Sequence, residues 1–292
     1  MPELKIPPGE LTVVVVTYNS AHAIFSCLQS LPPAVPKIVV DNASTDDTRR
    51  LVETFPAVTV VANATNVGFG RANNQGFQAV TTPYALMLNP DTEVSGQAIE
   101  RLLETARKYP DAAIAAPRLV RANGEVEMRV MGPHEHHHAE APFAPAGPFC
   151  TWFVTGAAWL CRMDALNKVG GFDENIFLYN EDVDLCLRLA RAGYSLVVDP
   201  DAVIGHKGGG SVAPSDETQL RKDWHQTWSH FYLASKYGDA AEARREAWRL
   251  WFQRGSKGLF YLLMLRFRRA RGNFTKAQAA WWFLRGGPAR PY

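Results

Sequence analysis

Residues 84–94 read YALMLNPDTEV. The run Ala85-Leu86-Met87-Leu88 is continuously apolar and ends in Asn89-Pro90-Asp91, the pattern of a strand buried on both faces with a carboxylate just past its C-terminal end. Pro90 stops the ladder because it has no N–H to donate, and it stiffens the turn that presents Asp91. Open α/β sheets bind ligands at that end of their strands. A lone carboxylate there suits a divalent cation, Mn or Mg, held by one or two protein oxygens and completed by a ligand's phosphate oxygens. The competing reading of the same residues is that Asp91 or Thr92 caps a helix beginning after Ser95.

The flanking sequence supplies the rest of a sheet. Residues 11–17 (LTVVVVT), 37–40 (KIVV) and 58–62 (VTVVA) read as buried strands, separated by helices marked by Ile24, Cys27, Leu28 and Leu31 and by Leu51, Val52 and Phe55. Ser20 suits the first N-cap, and Pro32-Pro33 ends that helix. The alternation predicts a doubly wound sheet of Rossmann type. Each strand then ends in polar residues, Thr17-Tyr18-Asn19, Asp41-Asn42, Asn63 to Asn66 and Asn89-Pro90-Asp91, which converge on one edge. Asp41 can accept from the imide N–H of a pyrimidine, Tyr18 can pack beside the base, and Asn66, Gly68 and Arg71 can approach phosphate at a helix start. Ordinary turn chemistry is the alternative for each residue taken singly. The turn TYNS after the first strand, lacking three glycines, argues against a dinucleotide cofactor.

Downstream, residues 118–130 read as a hairpin turning at Asn123-Gly124. Residues 131–149 are Pro-rich and carry His134, His136, His137 and His138, read as a lid or acceptor loop in preference to a metal centre. Residues 152–161 return to strand character around Gly156-Ala157-Ala158, small enough for a substrate to reach the backbone. At Asn180-Glu181-Asp182 a helix begins whose stripe is Val183, Cys186, Leu187 and Ala190, with the two acids in its first turn after an Asn cap. A further strand is expected at 195–198, and residues 202–205 lead to His206, a ligand or a loop residue, and a glycine run.

Composition bounds the partners. Residues 241–292 carry 12 Lys and Arg against two Glu, whereas the remainder carries 19 basic and 27 acidic residues. The acidic body argues against nucleic acid. Cys27, Cys150, Cys161 and Cys186 have no paired-ligand spacing and read as reduced thiols. The N-terminus lacks a signal-peptide pattern, and no apolar run is long enough to span a bilayer, which predicts a cytosolic protein. Leu220, Trp224, Thr227, Trp228 and Phe231 predict an amphipathic helix packing on the core and ending at Gly238. The aromatic and arginine-rich tail suits the headgroup region of an anionic leaflet, peripheral on the inner face of the cell membrane; the alternative is a helix pair covering the sheet or forming a homodimer interface.

In order along the chain, VVVVTYNS, VVDNASTDDT, NVGFGRANNQGF and LNPDTEV resemble the donor-binding half of glycosyltransferase family 2, whose members share the GT-A fold. The likeness is closest to its rhamnosyltransferase-like branch and extends over residues 11–212. It implies a GT-A type, Rossmann-like mixed sheet flanked by helices, with a catalytic domain over 1–212 (donor half 11–117, acceptor half 118–212) and a basic helical extension over 213–292. By the same resemblance, Asn89-Pro90-Asp91 stands where the family has a D-x-D-like turn, here with only the second carboxylate. Thr17, Tyr18, Asn19, Asp41, Asn42, Asn66, Gly68, Arg71 and Asn89 would bind the donor, and Asp91 with His206 the metal. Asp182 aligns with the catalytic base, Glu181 would orient it or the acceptor, and Trp152, Gly156 and Tyr179 would line the acceptor cleft. The implied reaction is an inverting, metal-dependent transfer from a nucleoside-diphosphate sugar, with dTDP-rhamnose or a UDP-sugar as the first guess. The implied acceptor is a saccharide or lipid-linked saccharide in cell-surface polysaccharide synthesis. The alternatives are a sugar nucleotidyltransferase and a non-catalytic sugar-nucleotide-binding protein.

Overall fold

The computed structural model describes residues 6–127, 145–207 and 215–289. The elements follow in the order β1 Leu11–Thr17, α1 Ala21–Ser30, β2 Lys37–Asp41, α2 Thr48–Val52, β3 Val58–Ala62, α3 Phe69–Gln78, β4 Tyr84–Leu88, β5 Thr92–Val94 and α4 Gly96–Lys108. After them come β6 Ala112–Val120, β7 Val126–Glu127, β8 Phe149–Thr151, β9 Ala158–Arg162, α5 Met163–Val169, α6 Glu181–Arg191, β10 Ser195–His206, α7 Asp216–Tyr237, α8 Ala240–Leu263 and α9 Phe267–Leu284. One sheet runs in the order β3-β2-β1-β4-β9-β6-β10-β5, with β7 on β6 and β8 on β10.

The first four strands are parallel, as their unbroken apolar runs require, and β1 and β4 are buried along their whole length. β9 then enters antiparallel between β4 and β6, which makes the sheet mixed. One apolar layer packs α1 and α4 on β1, β4 and β9; the other packs α5, α6 and the Phe172 loop on the opposite face.

Three expectations are corrected. Residues 92–94 form a strand, β5, that the sequence did not announce, because a three-residue edge strand has too few positions to show alternation. Residues 152–157 are not strand: Ala157 N–H bonds the Thr155 carbonyl and Gly156 N–H bonds Asp182, so their donors leave the ladder. The strand expected at 195–198 runs on to His206 as β10, with a register shift between Asp199 and Val203 around Pro200, which cannot donate. The hairpin turning at Asn123-Gly124 is present over the described residues, with Leu119 opposite Glu127 and Gly124 at φ 82°. Its continuation, His134, His136, His137 and His138, and the glycine run 208–210 lie outside the described residues.

The motifs that look like ligand loops interlock within the sheet unit. Gly76 sits on β1 so closely that a Cβ would stand 2.4 Å from Val14 Cγ1. Gly70 approaches Phe172, where a Cβ would meet another at 2.9 Å. Asn74 completes the lock by accepting from Phe172 N–H (2.8 Å) and donating to its carbonyl (2.9 Å).

The chain divides into two compact units, residues 1–173 with 182–213, and residues 174–181 with 214–292. The second is helical. Trp224, Trp228 and Phe231 of α7 pack with Ala247 of α8 and with Ala279, Ala280 and Leu284 of α9, so the expected amphipathic stripe has its partners inside this unit. Ser215 caps α7 by accepting from Thr218 N–H, and Gly238 ends it as expected.

Candidate active site

Asp91 is positioned by backbone pairing. β5 runs antiparallel to the end of β10 with His206 opposite Thr92, and Lys207 N–H continues the ladder onto the Asp91 carbonyl (3.1 Å). That register sets His206 Nε2 3.6 Å from Asp91 Oδ2, both side chains buried. The separation is too long for a hydrogen bond and within the span of two ligands on one ion with bonds of about 2.1 Å. Asn89 Oδ1 is buried nearby in the chain without a hydrogen-bond partner. Among the described residues no group of three His, Cys, Asp or Glu side chains is arranged to hold a metal. The donor set therefore fits an ion that takes most of its ligands from elsewhere.

Neither Asp91 nor Thr92 caps a helix. Thr92 Oγ1 donates to the Asn89 carbonyl (2.7 Å), and the helix after Ser95 is capped by Ser95, which accepts from Ala98 N–H (3.2 Å). Beneath the turn, the Cys27 thiol contacts the Asn89 carbonyl and Thr92 Oγ1, both at 3.7 Å. Burial pushes its pKa up to about 12, so it packs as a neutral group. Cys161 and Cys186 are likewise raised by burial, whereas Cys150 is exposed.

The β4 and β9 ends join this turn to the second carboxylate. Asn89 N–H bonds the Ala157 carbonyl (2.8 Å), and the preceding Gly156 N–H donates to Asp182 Oδ2 (3.3 Å). A Cβ on Gly156 would stand 3.2 Å from Asp182 Cβ, so glycine lets the first turn of α6 seat here. Asp182 Oδ1 also accepts from Val183 N–H (2.9 Å). The helix itself is pinned by Arg188, which pairs with buried Asp184 (2.7 Å) and donates to the carbonyls of Val169 (2.8 Å) and Gly171 (2.6 Å). Asn180 does not cap it in the ordinary way: its φ is 66° and its amide donates to Ser229 Oγ (2.8 Å). Tyr179, also at positive φ, has its hydroxyl pKa raised to about 12 by burial and by the Glu181 and Asp223 charges. Glu181 is buried, and Trp152 is half exposed at 52%.

At the β1 and β2 ends, parallel register aligns Thr17 with Asp41. Asp41 is buried and accepts from Ser44 N–H (3.3 Å). Thr17 Oγ1 is buried without a partner. Asn19, at φ 50°, holds the next loop through Thr45 N–H to its Oδ1 (2.8 Å) and its own N–H to Ser44 Oγ (2.9 Å). Asn42 is a correction to the expected donor contacts. Its amide donates to Asn66 Oδ1 (2.8 Å) and the Gly68 carbonyl (3.2 Å) and accepts from Val67 N–H (2.9 Å) and Asn63 Nδ2 (3.1 Å). That uses its whole hydrogen-bonding capacity, so it builds the loop and has none left for a ligand. Gly68, at φ 92°, opens α3, and Arg71 lies exposed in that helix's first turn.

Residues 12–170 match the model of the family described as Glycosyl transferase family 2. Among curated proteins, the chain is 29% identical to N-acetylglucosaminyl-diphospho-decaprenol L-rhamnosyltransferase of Mycobacterium tuberculosis, across 88% of this chain and 93% of that one. It is 33% identical to the pre-mycofactocin glycosyltransferase of the same species, across 74% of this chain and 44% of that one. In fold it is similar to the mannosyltransferase PcManGT of Pyrobaculum calidifontis, solved with GDP-Man and Mn2+ (TM-score 0.57, 18% identity, 97% and 90% covered). It is also similar to Staphylococcus aureus TarS 1–349 (TM-score 0.56, 15% identity, 96% and 93% covered).

Proposed function

Because the chain belongs to glycosyltransferase family 2, and its mixed sheet is of GT-A type, we propose that it transfers a sugar, with inversion, from a pyrimidine nucleoside diphosphate to a hydroxyl of a lipid-linked saccharide. The observation that carries this reading is the pairing of two carboxylates through one backbone contact. Asn89, at the head of the Asp91 turn, bonds Ala157, and the residue before it, Gly156, carries Asp182. Asp41 and Tyr18 receive the base, while Gly68 and Arg71 face the phosphates. Asp91 and His206 would hold a divalent cation, which supplies charge neutralisation for the departing diphosphate. Asp182, with Oδ2 steadied by Gly156 N–H, takes the proton from the acceptor hydroxyl, whose oxygen attacks the anomeric carbon opposite the leaving group. One displacement inverts the configuration.

The donor is proposed as dTDP-rhamnose, supported by the similarity to a rhamnosyltransferase over nearly the whole of both chains. The lipid-linked acceptor draws on the same relative's name and on the helical unit's surface. No helix among the described residues is long and apolar enough to cross a membrane. Exposed Leu259, Phe260, Leu263, Leu265 and Phe267 instead surround the α8–α9 turn, next to Arg266, Arg268 and Arg269, an arrangement suited to an anionic headgroup layer.

The test combines thermal stabilisation by nucleoside diphosphates, with and without Mn2+ or Mg2+, and a transfer assay on a lipid-linked saccharide. A metal-dependent shift with the thymidine or uridine compound and transfer with inverted product are expected. Binding of nucleotide with no transfer to any hydroxyl would favour the non-catalytic reading.

A further inference from the structure

Arg118 lies near the C-terminal end of β6, and the mechanism above makes no use of it. Its Nε is buried and has no hydrogen-bond partner, and among the described residues no carboxylate forms an ion pair with it. A buried guanidinium N–H left without an acceptor is costly unless a ligand atom completes it, and the rest of this half-buried group remains open to one. The other strand-end arginine in this unit, Arg162, shows the usual remedy: it donates to the carbonyls of Ala112 (3.2 Å) and Ala106 (2.6 Å).

Strand register places Arg118 at the acceptor end of the site. β6 is last paired with β9 at Ala115 opposite Leu160, three residues before Arg118, while β9 begins at Ala158, two residues after Gly156. The open ends of the two strands, one carrying Arg118 and the other leading back to the Asp182 seat, are therefore neighbours. Alternation decides the face. Leu119 and Ile204 are paired and belong to the layer of α1 and α4, and His206 shares the side of Ile204. Arg118 follows Ala116 onto the other side, where Leu185 of α6 packs. It thus faces away from the Asp91 and His206 pair and toward the layer that carries Asp182. Two further buried polar atoms without partners, Thr155 Oγ1 and Asn89 Oδ1, flank the same short segment, because Thr155 and Asn89 both bond Ala157 through the backbone. Two unsatisfied polar atoms at one turn and a third on the neighbouring strand end suit a polar ligand.

We propose that Arg118 is the anion-recognising residue of the acceptor site: its guanidinium grips a phosphate oxygen of a phosphate-bearing acceptor and so aligns the acceptor hydroxyl on Asp182. The proposal rests on the glycosyl-transfer reading and adds that the acceptor is anionic close to its reacting sugar. Arginine's planar fork suits two phosphate oxygens, a geometry lysine does not reproduce. The closest steric requirement, a small residue at 156, is already met by glycine.

The test compares Arg118→Gln and Arg118→Lys with the unaltered chain, using N-acetylglucosaminyl diphosphoryl alkyl lipid and the same sugar on a neutral alkyl chain. Arg118→Gln is expected to raise the KM of the diphosphoryl acceptor and lower the preference for it over the neutral one by about tenfold, with Arg118→Lys between. The dissociation constant of dTDP with Mg2+, by calorimetry, should stay within about twofold. An unchanged preference overturns the proposal, and so does a weakened dTDP affinity, which would assign Arg118 to the donor. Should the unaltered chain transfer to neither compound, calorimetry of inorganic pyrophosphate against the dTDP-saturated protein replaces kinetics. Loss of pyrophosphate binding in Arg118→Gln then upholds the anion site although the transfer reading has failed, and equal binding overturns it.

Discussion

The sheet unit and the α8–α9 hairpin of the helical unit place their large side chains in opposite ways. In the sheet unit Trp159, Met87, Ile24 and Leu86 are fully buried, and the polar residues gather at one edge. In the helical unit the buried positions of α8 and α9 include Ala243, Ala247, Ala270, Ala277, Ala279 and Ala280, while Phe252, Leu263 and Leu265 are exposed at 71%, 74% and 74%. Trp248, Trp251 and Trp281 touch one another at ring-centroid distances of 5.4 to 5.7 Å and remain partly exposed. The small residues let α8 and α9 approach closely: a Cβ on Gly258 would stand 2.6 Å from the Phe274 ring. Apolar content alone does not say where a core lies. The sheet turns its bulk inward to bury it, whereas the hairpin turns much of its bulk outward.

The sharpest break of this contrast is chemical. If the polar edge of the sheet unit is the reacting centre, Asp182→Asn should lower kcat by about a thousandfold with nucleotide-induced stabilisation retained. Loss of both together would instead mean a folding defect.

Acid should separate the units next. Burial, followed by the nearby Arg221 charge, lowers His225 in α7 from 6.5 to about 4. Its folded pKa lies below its unfolded one, so the unfolded chain binds the proton first. The helical unit then keeps its full stability above about pH 6.5 and loses about 3 kcal/mol as pH falls towards 4. Six of the eight tryptophans lie in that unit, so urea titrations followed by tryptophan fluorescence report it, and His225→Gln should flatten the acid slope.

In the sheet unit, Gly76→Val should cost about 2 kcal/mol by overpacking against Val14 and Val40, read as a fall in the urea midpoint. The smallest effect is expected at the hairpin tip. Leu263→Glu with Leu265→Glu should reduce co-sedimentation with anionic phosphatidylglycerol vesicles about tenfold and leave the melting temperature unchanged, since neither side chain is buried.

What the sequence determined by itself is local or periodic. Continuous apolar runs marked the parallel strands of the donor half, Pro90 the stop after β4 and Pro32 the stop after α1, and the ordered motifs identified the family, because propensity, chain-breaking and burial act over a few residues. Tertiary structure alone decided the rest. The three residues of β5 carry no readable period, yet their register against β10 is what sets His206 beside Asp91. Asn42 looks like a ligand in sequence and proves saturated by its own loop, a fact that depends on partners 21 to 26 residues away. Arg118 gave no signal within its hairpin, since a missing hydrogen-bond acceptor becomes visible only when all neighbouring strands are in place. Contacts between distant segments are set by the summed packing of the sheet, which no local window of sequence contains.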